Sequence, residues 1–586
     1  MLTRAPVLPP LLLAGLLAAL AAGPVACKTT PDAPAAPQRL TVVGISDFHG
    51  ALEPVLLRSA GGREVPVGGA ALMSAYLERI RERAPGPVLL LDAGDMYQGT
   101  LASGMAEGAP VISLYDHLGV AAAALGNHEF DFGPVGPDGV VREEGQDPRG
   151  ALRARIEEAG FPFLAANLRA EGGGDEVPEP FQASHLVEVG EWQVGIVGLA
   201  SINTASTTVA RNLVGLTFVD PVPVAVAEAR RLRAAGADLV IVLLHDGSYC
   251  SPALGEGLEG CAEGELLRLQ AGLPEGLVDL ILGAHTHGLV ARRVGNRALL
   301  QGAARGQFLS WAELAPGQPP VVHAPVQLCG ATVPGAEGPT CEKKAVQASE
   351  VEPEAATFLG APLLPDPEVA ALVAPALEQA RVLEARPLGV SLAAPFTRAY
   401  GEESALGNLV ADAFRAAVEG AQIGLTNGGG LRADLPAGEM RWGHVFQALP
   451  FDNHLAVLKL EGAQLRRLVQ HGIDSGHGAL SYSGLSLEAR GCELLSIRIG
   501  EAPLDDAATY TLVTNDYLSG GGSGFDTLAI PGDRIEVLWE RPLLREIVAD
   551  HLGGLQGPLE PASYFDPASP RQRRDGDCKP ARKAGS

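Results

Sequence analysis

The sequence is poor in basic residues for its length. Its 586 residues contain 44 Lys and Arg against 69 Asp and Glu, so the formal net charge is −25. Proteins that bind DNA or RNA need a basic surface, because their affinity comes largely from displacing counterions from the phosphate backbone. The acidic balance therefore argues against a nucleic-acid polymer as a partner.

Cysteine is also scarce, with seven residues in the whole chain. Cys27 stands alone near the N-terminus, and the other six are Cys250, Cys261, Cys329, Cys341, Cys492 and Cys578. An even number of cysteines in an exported chain favours disulfides. The first two and the next two would each close a small loop, which leaves the last two as a third pair. The alternative is that some of the six are free buried thiols.

The N-terminal residues carry the pattern of an export signal. Residues 1–27 combine Arg4, an apolar stretch from Leu11 to Ala22 and small residues before Cys27. The stretch is too short to be a good membrane span. The ending Val25-Ala26-Cys27 resembles a lipoprotein cleavage site, so we expect attachment to a membrane through lipid on Cys27, with plain secretion as the alternative.

Glycine and proline are abundant, at 73 and 45 residues, but 46% of the chain is hydrophobic and the apolar residues form regular runs. A disordered chain lacks the apolar residues for a core. We therefore expect a loop-rich globular protein, and the length allows two or more domains.

The pattern of elements changes along the chain. Residues 38 to about 320 alternate strand-like runs with amphipathic helices, which is typical of a layered α/β domain. Residues 329–365 lose this periodicity. Asp366 followed by Pro367 is typical of a helix start, so we expect a connecting helix to about Ala385. The predicted boundaries are 1–27 for the signal, 28–38 for a flexible tether, 39–345 for the first domain, 346–386 for a linker with the connecting helix, 387–548 for a second domain and 549–586 for a partly disordered tail.

Five short apolar runs each end abruptly in Asp, His or Asn. Runs of this length indicate buried strands, and ligands collect beyond the carboxyl ends of strands in open α/β sheets. The five endings are Asp47-Phe48-His49, Asp92-Ala93-Gly94-Asp95, Asn127-His128-Glu129-Phe130-Asp131, His245 and His285-Thr286-His287. We expect these side chains to meet at one place. The set is rich in His, contains carboxylates and lacks thiols, which suits a divalent metal such as zinc, manganese or iron.

Taken together, these motifs resemble the bacterial 5′-nucleotidase and UDP-sugar hydrolase family, which has animal members. The resemblance covers about residues 38–548 and joins a calcineurin-like metallophosphoesterase domain to a 5′-nucleotidase C-terminal domain. It implies an α/β fold in which a four-layer αββα sandwich is followed by a smaller α+β substrate-binding domain.

The resemblance also implies two divalent metal ions, zinc, manganese or similar, that share a hydroxide for phosphoryl transfer. One ion would be held by Asp47, His49, Asp95 and His287, and the other by Asp95, Asn127, His245 and His285. Asp95 would bridge the two ions. Some relatives carry Gln where His287 stands.

His128 and Asp131 resemble the catalytic pair of the family. Asp131 would orient the imidazole, and His128 would stabilise the transferring phosphoryl group or the leaving oxygen. Glu129 lies inside the same motif, and we expect it to have a structural role.

The second domain would supply the substrate pocket. By resemblance, the substrate-binding residues are Arg398, Arg432, Phe451, Asn453, Tyr517 and Ser523. Arg432 would meet the phosphate or a carboxylate, and a nucleobase would lie between Phe451 and Tyr517. Ser523 stands where the family typically has Asp, and Glu402 stands where many relatives have a basic residue, for which Arg398 would compensate from nearby.

These observations predict an exported, lipid-anchored phosphohydrolase acting on nucleoside 5′-monophosphates or related nucleotides. Alternatives with the same architecture are a 2′,3′-cyclic-nucleotide phosphodiesterase, a nucleotide-sugar diphosphatase and a thiosulfohydrolase. A surface binding lipoprotein without catalysis is an alternative of another class. The sequence leaves the oligomeric state open.

Overall fold

The apolar runs of the N-terminal half form two central sheets in this computed structural model, which describes residues 38–136, 141, 145–474, 476, 478–576 and 578. The strands of the first sheet are Leu40–Ile45, Val88–Asp92, Val120–Ala124, Phe163–Leu164, Phe308–Leu314, Val321–Val322 and Val326–Gln327. The first four of these run parallel. Their register places Ile45 beside Asp92 and Asp92 beside Ala123, so three strands end at the same edge.

The second sheet is built in the same way. Its strands are Ser184–Val189, Trp192–Leu199, Leu239–Leu244, Leu254–Glu256, Leu280–Gly283, Leu289–Val294 and Arg297–Gly302. Leu244 lies beside Gly283 in parallel pairing, so His245 and His285 follow strands that end level with each other.

The two sheets pack face to face between layers of helices. Val42 and Leu91 of the first sheet share a buried core with Ile241 and Leu282 of the second. The helices that cover the outer faces are Ala70–Arg83, Ala109–Leu118 and Gly150–Glu158 on the first sheet, and Pro221–Ala234 and Glu265–Gly272 on the second. Both faces of each central strand are therefore buried, which explains the continuous apolar runs. The predicted four-layer αββα sandwich is confirmed.

The second domain has a mixed five-stranded sheet with helices on both faces. Its strands are Ile423–Asn427, Leu455–Glu461, Leu480–Ser483, Thr509–Asn515 and Ile535–Val537, and its helices are Ala405–Ala417, Gly462–Asp474 and Leu544–Gly553. The side chain of Ser404 accepts a hydrogen bond from the Gly407 backbone and caps the first of these helices. A four-stranded sheet adjoins it, formed by Leu485–Arg490, Glu493–Ile499, Ala502–Pro503 and Gln572–Asp575.

The predicted connecting helix spans Pro367–Glu384. The side chain of Asp366 accepts hydrogen bonds from the backbone of Glu368 and Val369, and it also accepts one from the Ser74 hydroxyl at 2.6 Å. Val369 belongs to a buried core that includes residues of both domains. The described residues from Arg39 onward form one compact unit.

The remaining elements are short. The small strand pairs or triplets are Val55–Arg58 with Glu64–Val67, Leu168–Ala170 with Leu216–Phe218, Ala331–Gly335 with Gly338–Thr340 and Glu354–Ala355, Thr357–Phe358 with Ala361–Pro362, and Pro387–Leu392 with Gly438–Arg441. The short helices are Leu101–Gly104, Thr204–Thr207, Lys343–Ala348, Trp442–Ala448 and Asp516–Ser519. Within the described residues, no helix is long and apolar enough to cross a membrane.

All three expected disulfides are present. They join Cys250 to Cys261, Cys329 to Cys341 and Cys492 to Cys578. The predicted signal, including Cys27, and the tether through residue 37 lie outside the described residues.

The described part of the predicted tail, residues 549–576 and 578, contains regular secondary structure. A helix runs across residue 548, and Gln572–Asp575 forms a strand parallel to Leu485–Arg490. Arg571 donates hydrogen bonds of 2.9 and 2.8 Å to both oxygens of Asp412, and buried Glu403 accepts from the backbone of Arg571 and Gln572. Polar side chains from much earlier in the sequence bind this segment through hydrogen bonds. Because these contacts are polar, apolar periodicity in the sequence does not reveal the strand.

We expect Arg571→Ala to loosen this C-terminal strand, because the variant loses a bidentate, charge-assisted contact. The free energy of local opening should fall by about 1–3 kcal/mol, measured by hydrogen exchange of residues 572–575. Arg573→Ala is the matched control, since the Arg573 side chain is 66% exposed and its contact with the Glu488 carboxylate is weak, at 4.0 Å. Equal exchange in the two variants would contradict the role assigned to Arg571.

Candidate metal centre

The five strand endings converge at the common carboxyl edge of the two sheets. Asp47, Asp95, Asn127 and His245 are buried there. The ligand-type atoms form three groups whose members lie within 4.8 Å of one another, and two of these groups consist only of predicted metal ligands, while the third joins His49 and Asp95 to His128. Level strand ends on two packed sheets explain this convergence, because each ending turns its side chains into the space between the sheets.

The first group contains Asp47, His49 and His287. His49 Nε2 lies 3.1 Å from His287 Nε2, and His287 Nε2 lies 3.9 Å from Asp47 Oδ1. The other ring nitrogen of His49 is 2.8 Å from the carbonyl oxygen of Gln98, which orients the imidazole with Nε2 toward the group.

The second group contains Asp95, His245 and His285, with Asn127 beside it. His245 Nε2 is 3.2 Å from both Asp95 Oδ2 and Asn127 Oδ1. The same Asp95 oxygen is 3.9 Å from His49 Nε2 of the first group. Asp95 therefore lies between the two groups, where the predicted bridging ligand belongs.

The donor set fits divalent cations. Oδ2 of Asp47 is buried and has no hydrogen-bond partner, and burial raises the pKa of this carboxyl to about 8. A buried carboxylate oxygen without a donor is costly unless a cation pairs with it. Burial also lowers the pKa of His49 and of His285, which favours the neutral imidazole that binds metals.

Five of the predicted ligands have left-handed backbone conformations. The φ angles of Asp47, His49, Asp95, His285 and His287 lie between 51° and 66°. Each such residue costs on the order of 1–3 kcal/mol, and strain of this kind collects at functional sites. The conformation turns the chain sharply after each strand and directs the side chains back toward the sheet edge.

Glu129 connects two of the strand endings through hydrogen bonds to their backbone. Its buried carboxylate accepts hydrogen bonds from the backbone nitrogens of Asp95, Met96 and Gly126, at 2.9, 2.7 and 2.7 Å. Gly94 lies in the same turn with φ 99°, and a Cβ there would be 2.7 Å from His245 Nδ1. Glu129 thus has the structural role expected for it, since it positions the loop that carries Asp95.

His128 and Asp131 form a close pair beside the metal ligands. His128 Nδ1 lies 2.5 Å from Asp131 Oδ2, and the Thr208 hydroxyl donates to Asp131 Oδ1 at 2.7 Å. Burial opposes protonation of His128, but the charges of Asp131 and Asp95 outweigh it and raise the pKa of His128 to about 9. The sequence around Thr208 contains no motif that predicts its contact with Asp131.

A cleft of about 400 Å³ extends from the metal centre to the second domain. Its lining from the first domain includes Asp95, Asn127, His128, Asp131, His285 and His287, and its lining from the second includes Arg432, Phe451, Asn453, Tyr517 and Ser523. The structure therefore brings the predicted substrate residues, apart from Arg398, to the predicted metal ligands.

Phe451 and Tyr517 lie in the cleft where the two domains meet. The Phe451 ring lies nearly parallel to the His128 ring, with centroids 6.1 Å apart, and the Arg432 guanidinium is 5.7 Å from its centroid. The Tyr517 hydroxyl donates to the Ser206 carbonyl of the first domain at 3.1 Å and accepts from the Ser523 backbone at 3.2 Å.

Arg398 lies outside the lining of the cleft, although the sequence predicts it as a substrate-binding residue. Its guanidinium donates to the Leu431 carbonyl at 3.0 Å, and its backbone nitrogen donates to Asp434. The side chain thus supports the turn that carries Arg432 and does not line the cleft. Tyr400, which sequence reasoning missed, lines the cleft because its loop lies beside the turn of Gly429.

Comparison with known proteins agrees with this division. Residues 40–289 match the calcineurin-like phosphoesterase family, and residues 385–530 match the 5′-nucleotidase C-terminal domain. The first match contains all seven predicted metal ligands, and the second contains all six predicted substrate residues.

Individual relatives are distant but extensive. The chain is 25% identical to a cell wall protein, Lmo0130, of Listeria monocytogenes over 85% of this chain and 65% of that protein. It is 26% identical to the 5′-nucleotidase of Bos taurus over 75% of this chain and 72% of that protein. Across three of the curated relatives that it matches, the chain spans only 65%, 38% and 30% of their lengths.

A solved structure matches almost the whole fold. The 5′-nucleotidase precursor from Thermus thermophilus superposes with a TM-score of 0.66 at 25% identity, covering 92% of this chain and 100% of that one. The ligand-bearing strand ends all lie within residues 40–289, the region that matches the calcineurin-like phosphoesterase family. The chain therefore belongs to the 5′-nucleotidase family, with a calcineurin-like phosphoesterase domain followed by a 5′-nucleotidase C-terminal domain.

Proposed function

We propose that the chain is an exported two-metal phosphohydrolase that removes phosphate from nucleoside 5′-monophosphates or cleaves related nucleotides. One observation carries the proposal. Two ligand groups with Asp95 between them face a cleft whose far side carries Phe451 and Tyr517, so a phosphoryl group at the metals and a nucleobase in the cleft fit one substrate.

In this proposal, one ion is held by Asp47, His49, Asp95 and His287, and the other by Asp95, Asn127, His245 and His285. Bound divalent ions supply an activated water and neutralise negative charge on the phosphoryl group. His128, oriented by Asp131, stabilises the phosphoryl group or the leaving oxygen as the phosphorus–oxygen bond breaks.

The second domain holds the rest of the substrate. Arg432 binds phosphoryl oxygens through its planar guanidinium, and Phe451 and Tyr517 hold the base. Asn453 and Ser523 line the same cleft and offer polar contacts to the sugar and base. Positioning of this kind converts the hydrolysis into a reaction between preoriented groups.

We also propose export and a lipid anchor on Cys27. The three disulfides support export, because such bonds persist in oxidising compartments. One relative is itself named a cell wall protein.

His128→Ala should lower kcat about 10²- to 10⁴-fold, the usual contribution of a positioned acid–base group. Phosphate release from AMP with manganese measures the effect. His117→Ala is the matched control, since His117 is exposed at the end of a helix, and it should retain the parent rate. A His128→Ala variant as active as the parent would instead support a binding protein without catalysis.

Metal analysis tests the shared ligand. The purified parent, equilibrated with manganese and then desalted, should retain about two ions per chain. Asp95→Ala should retain fewer, because each of the two proposed ions loses a ligand, whereas Asp550→Asn on an exposed helix surface should match the parent. Plasma mass spectrometry gives the stoichiometry, and a parent that retains no metal would refute the two-metal proposal.

A substrate panel tests the activity itself. Phosphate or nucleotide products should be measured with AMP, 2′,3′-cyclic AMP and UDP-glucose at equal metal concentration. We expect the highest kcat/KM with AMP, because one cleft extends from the candidate metal centre to Phe451 and Tyr517 and fits the phosphate and the base of a single nucleotide. Preference for the cyclic nucleotide or the sugar nucleotide would select those alternatives, and inactivity on all three would reject the phosphohydrolase.

A further inference from the structure

Arg305 lies at the metal centre, although no motif singled it out. It belongs to the turn between the strands Arg297–Gly302 and Phe308–Leu314. Its backbone nitrogen donates to the carbonyl oxygen of Asp47 at 2.7 Å, and its φ is 58°. An arginine that has a left-handed backbone conformation and donates a hydrogen bond to a predicted metal ligand is a strained feature of the kind that collects at functional sites.

The Arg305 side chain helps to line a small cavity of about 110 Å³ that opens beside the metal centre. His49, His128, Arg432 and Phe451 line the same cavity. His128, Arg432 and Phe451 also line the larger substrate cleft, so the two spaces meet at these three side chains. Arg305 from the first domain and Arg432 from the second therefore share a space that adjoins both His49 and His128.

The charges in this space are not balanced by protein carboxylates. In the described part of the chain, neither the Arg305 nor the Arg432 guanidinium makes an ion pair or a hydrogen bond. Glu53, the carboxylate that lines the cavity, is paired with Arg381 at 2.6 Å. Desolvation lowers the pKa of Arg432, whose side chain stays partly exposed, and the charges of Arg305 and Arg398 lower it further. Like charges held close together are unfavourable unless an anion lies between them.

We propose that Arg305 is a phosphoryl-binding residue that acts with Arg432 as a two-guanidinium clamp. This proposal rests on the proposed phosphohydrolase function, and it narrows the expected substrates to phosphomonoesters. A terminal monoester carries up to two negative charges and three non-bridging oxygens, enough for two guanidiniums as well as metals. A diester carries one charge and two such oxygens, so it gains less from a second guanidinium.

Binding of inorganic phosphate tests the clamp without turnover. Isothermal titration calorimetry on the full chain equilibrated with manganese should show phosphate binding about 10- to 100-fold weaker for Arg305→Ala than for the parent, the loss expected for a charge-assisted hydrogen bond. Arg305→Lys should fall between them, because it keeps the charge and loses the planar fork. Arg466→Ala, which removes an exposed guanidinium paired with Asp506 in the other domain, should match the parent.

Steady-state kinetics separate phosphate binding from a general loss of structure. For Arg305→Ala, kcat/KM should fall about 10- to 100-fold with p-nitrophenyl phosphate and less than about threefold with bis(p-nitrophenyl) phosphate. Unchanged phosphate affinity, no detectable phosphate binding by the parent, or equal losses on the two esters would overturn the clamp. A parent that binds phosphate through Arg305 but hydrolyses neither ester would refute the proposed function and leave the clamp supported.

Discussion

The burial of Asp95 between two packed sheets is the constraint on which the rest of the site depends. Its carboxylate lies between the two ligand groups, near His245 on one side and His49 on the other. Its backbone nitrogen is held by Glu129, and one of its oxygens accepts from the backbone of His128. One buried carboxylate therefore links both candidate ligand groups to the loop that carries His128 and Asp131, and a shift of this residue would displace all three.

The apolar sandwich maintains this arrangement. Strands with both faces buried cannot slide in register without exposing core side chains, so the ends of the strands stay level. The left-handed backbone at five ligand positions is unfavourable by itself, and the surrounding core determines it. Hydrophobic burial in this way holds the polar side chains of the candidate metal centre in one arrangement.

The second domain completes the site at its open side. Arg211 of the first domain pairs with Asp516 and lies over the Trp539 ring, 4.5 Å from its centroid. The Tyr517 hydroxyl, next in sequence to Asp516, reaches the Ser206 carbonyl. These contacts hold the aromatic wall of the cleft against the loop that also supplies Thr208 to the acid–base pair.

The four-layer sandwich was implied by the resemblance to a known family, whereas the sequence by itself determined the alternation of strands and helices in the first domain, the connecting helix and the residues that converge at the strand ends. These features depend on local periodicity, on capping residues and on the rule that strand ends share an edge, all of which are visible in a single chain. Only the tertiary structure decided the positions of Arg305, Arg398, Thr208 and the C-terminal strand. Each of them is placed by polar contacts between distant segments, and such contacts have no periodic pattern in the sequence. Arg398 and Arg305 show this most clearly, because the family resemblance together with its charge made the first a candidate, whereas only the fold brings the second to the candidate metal centre.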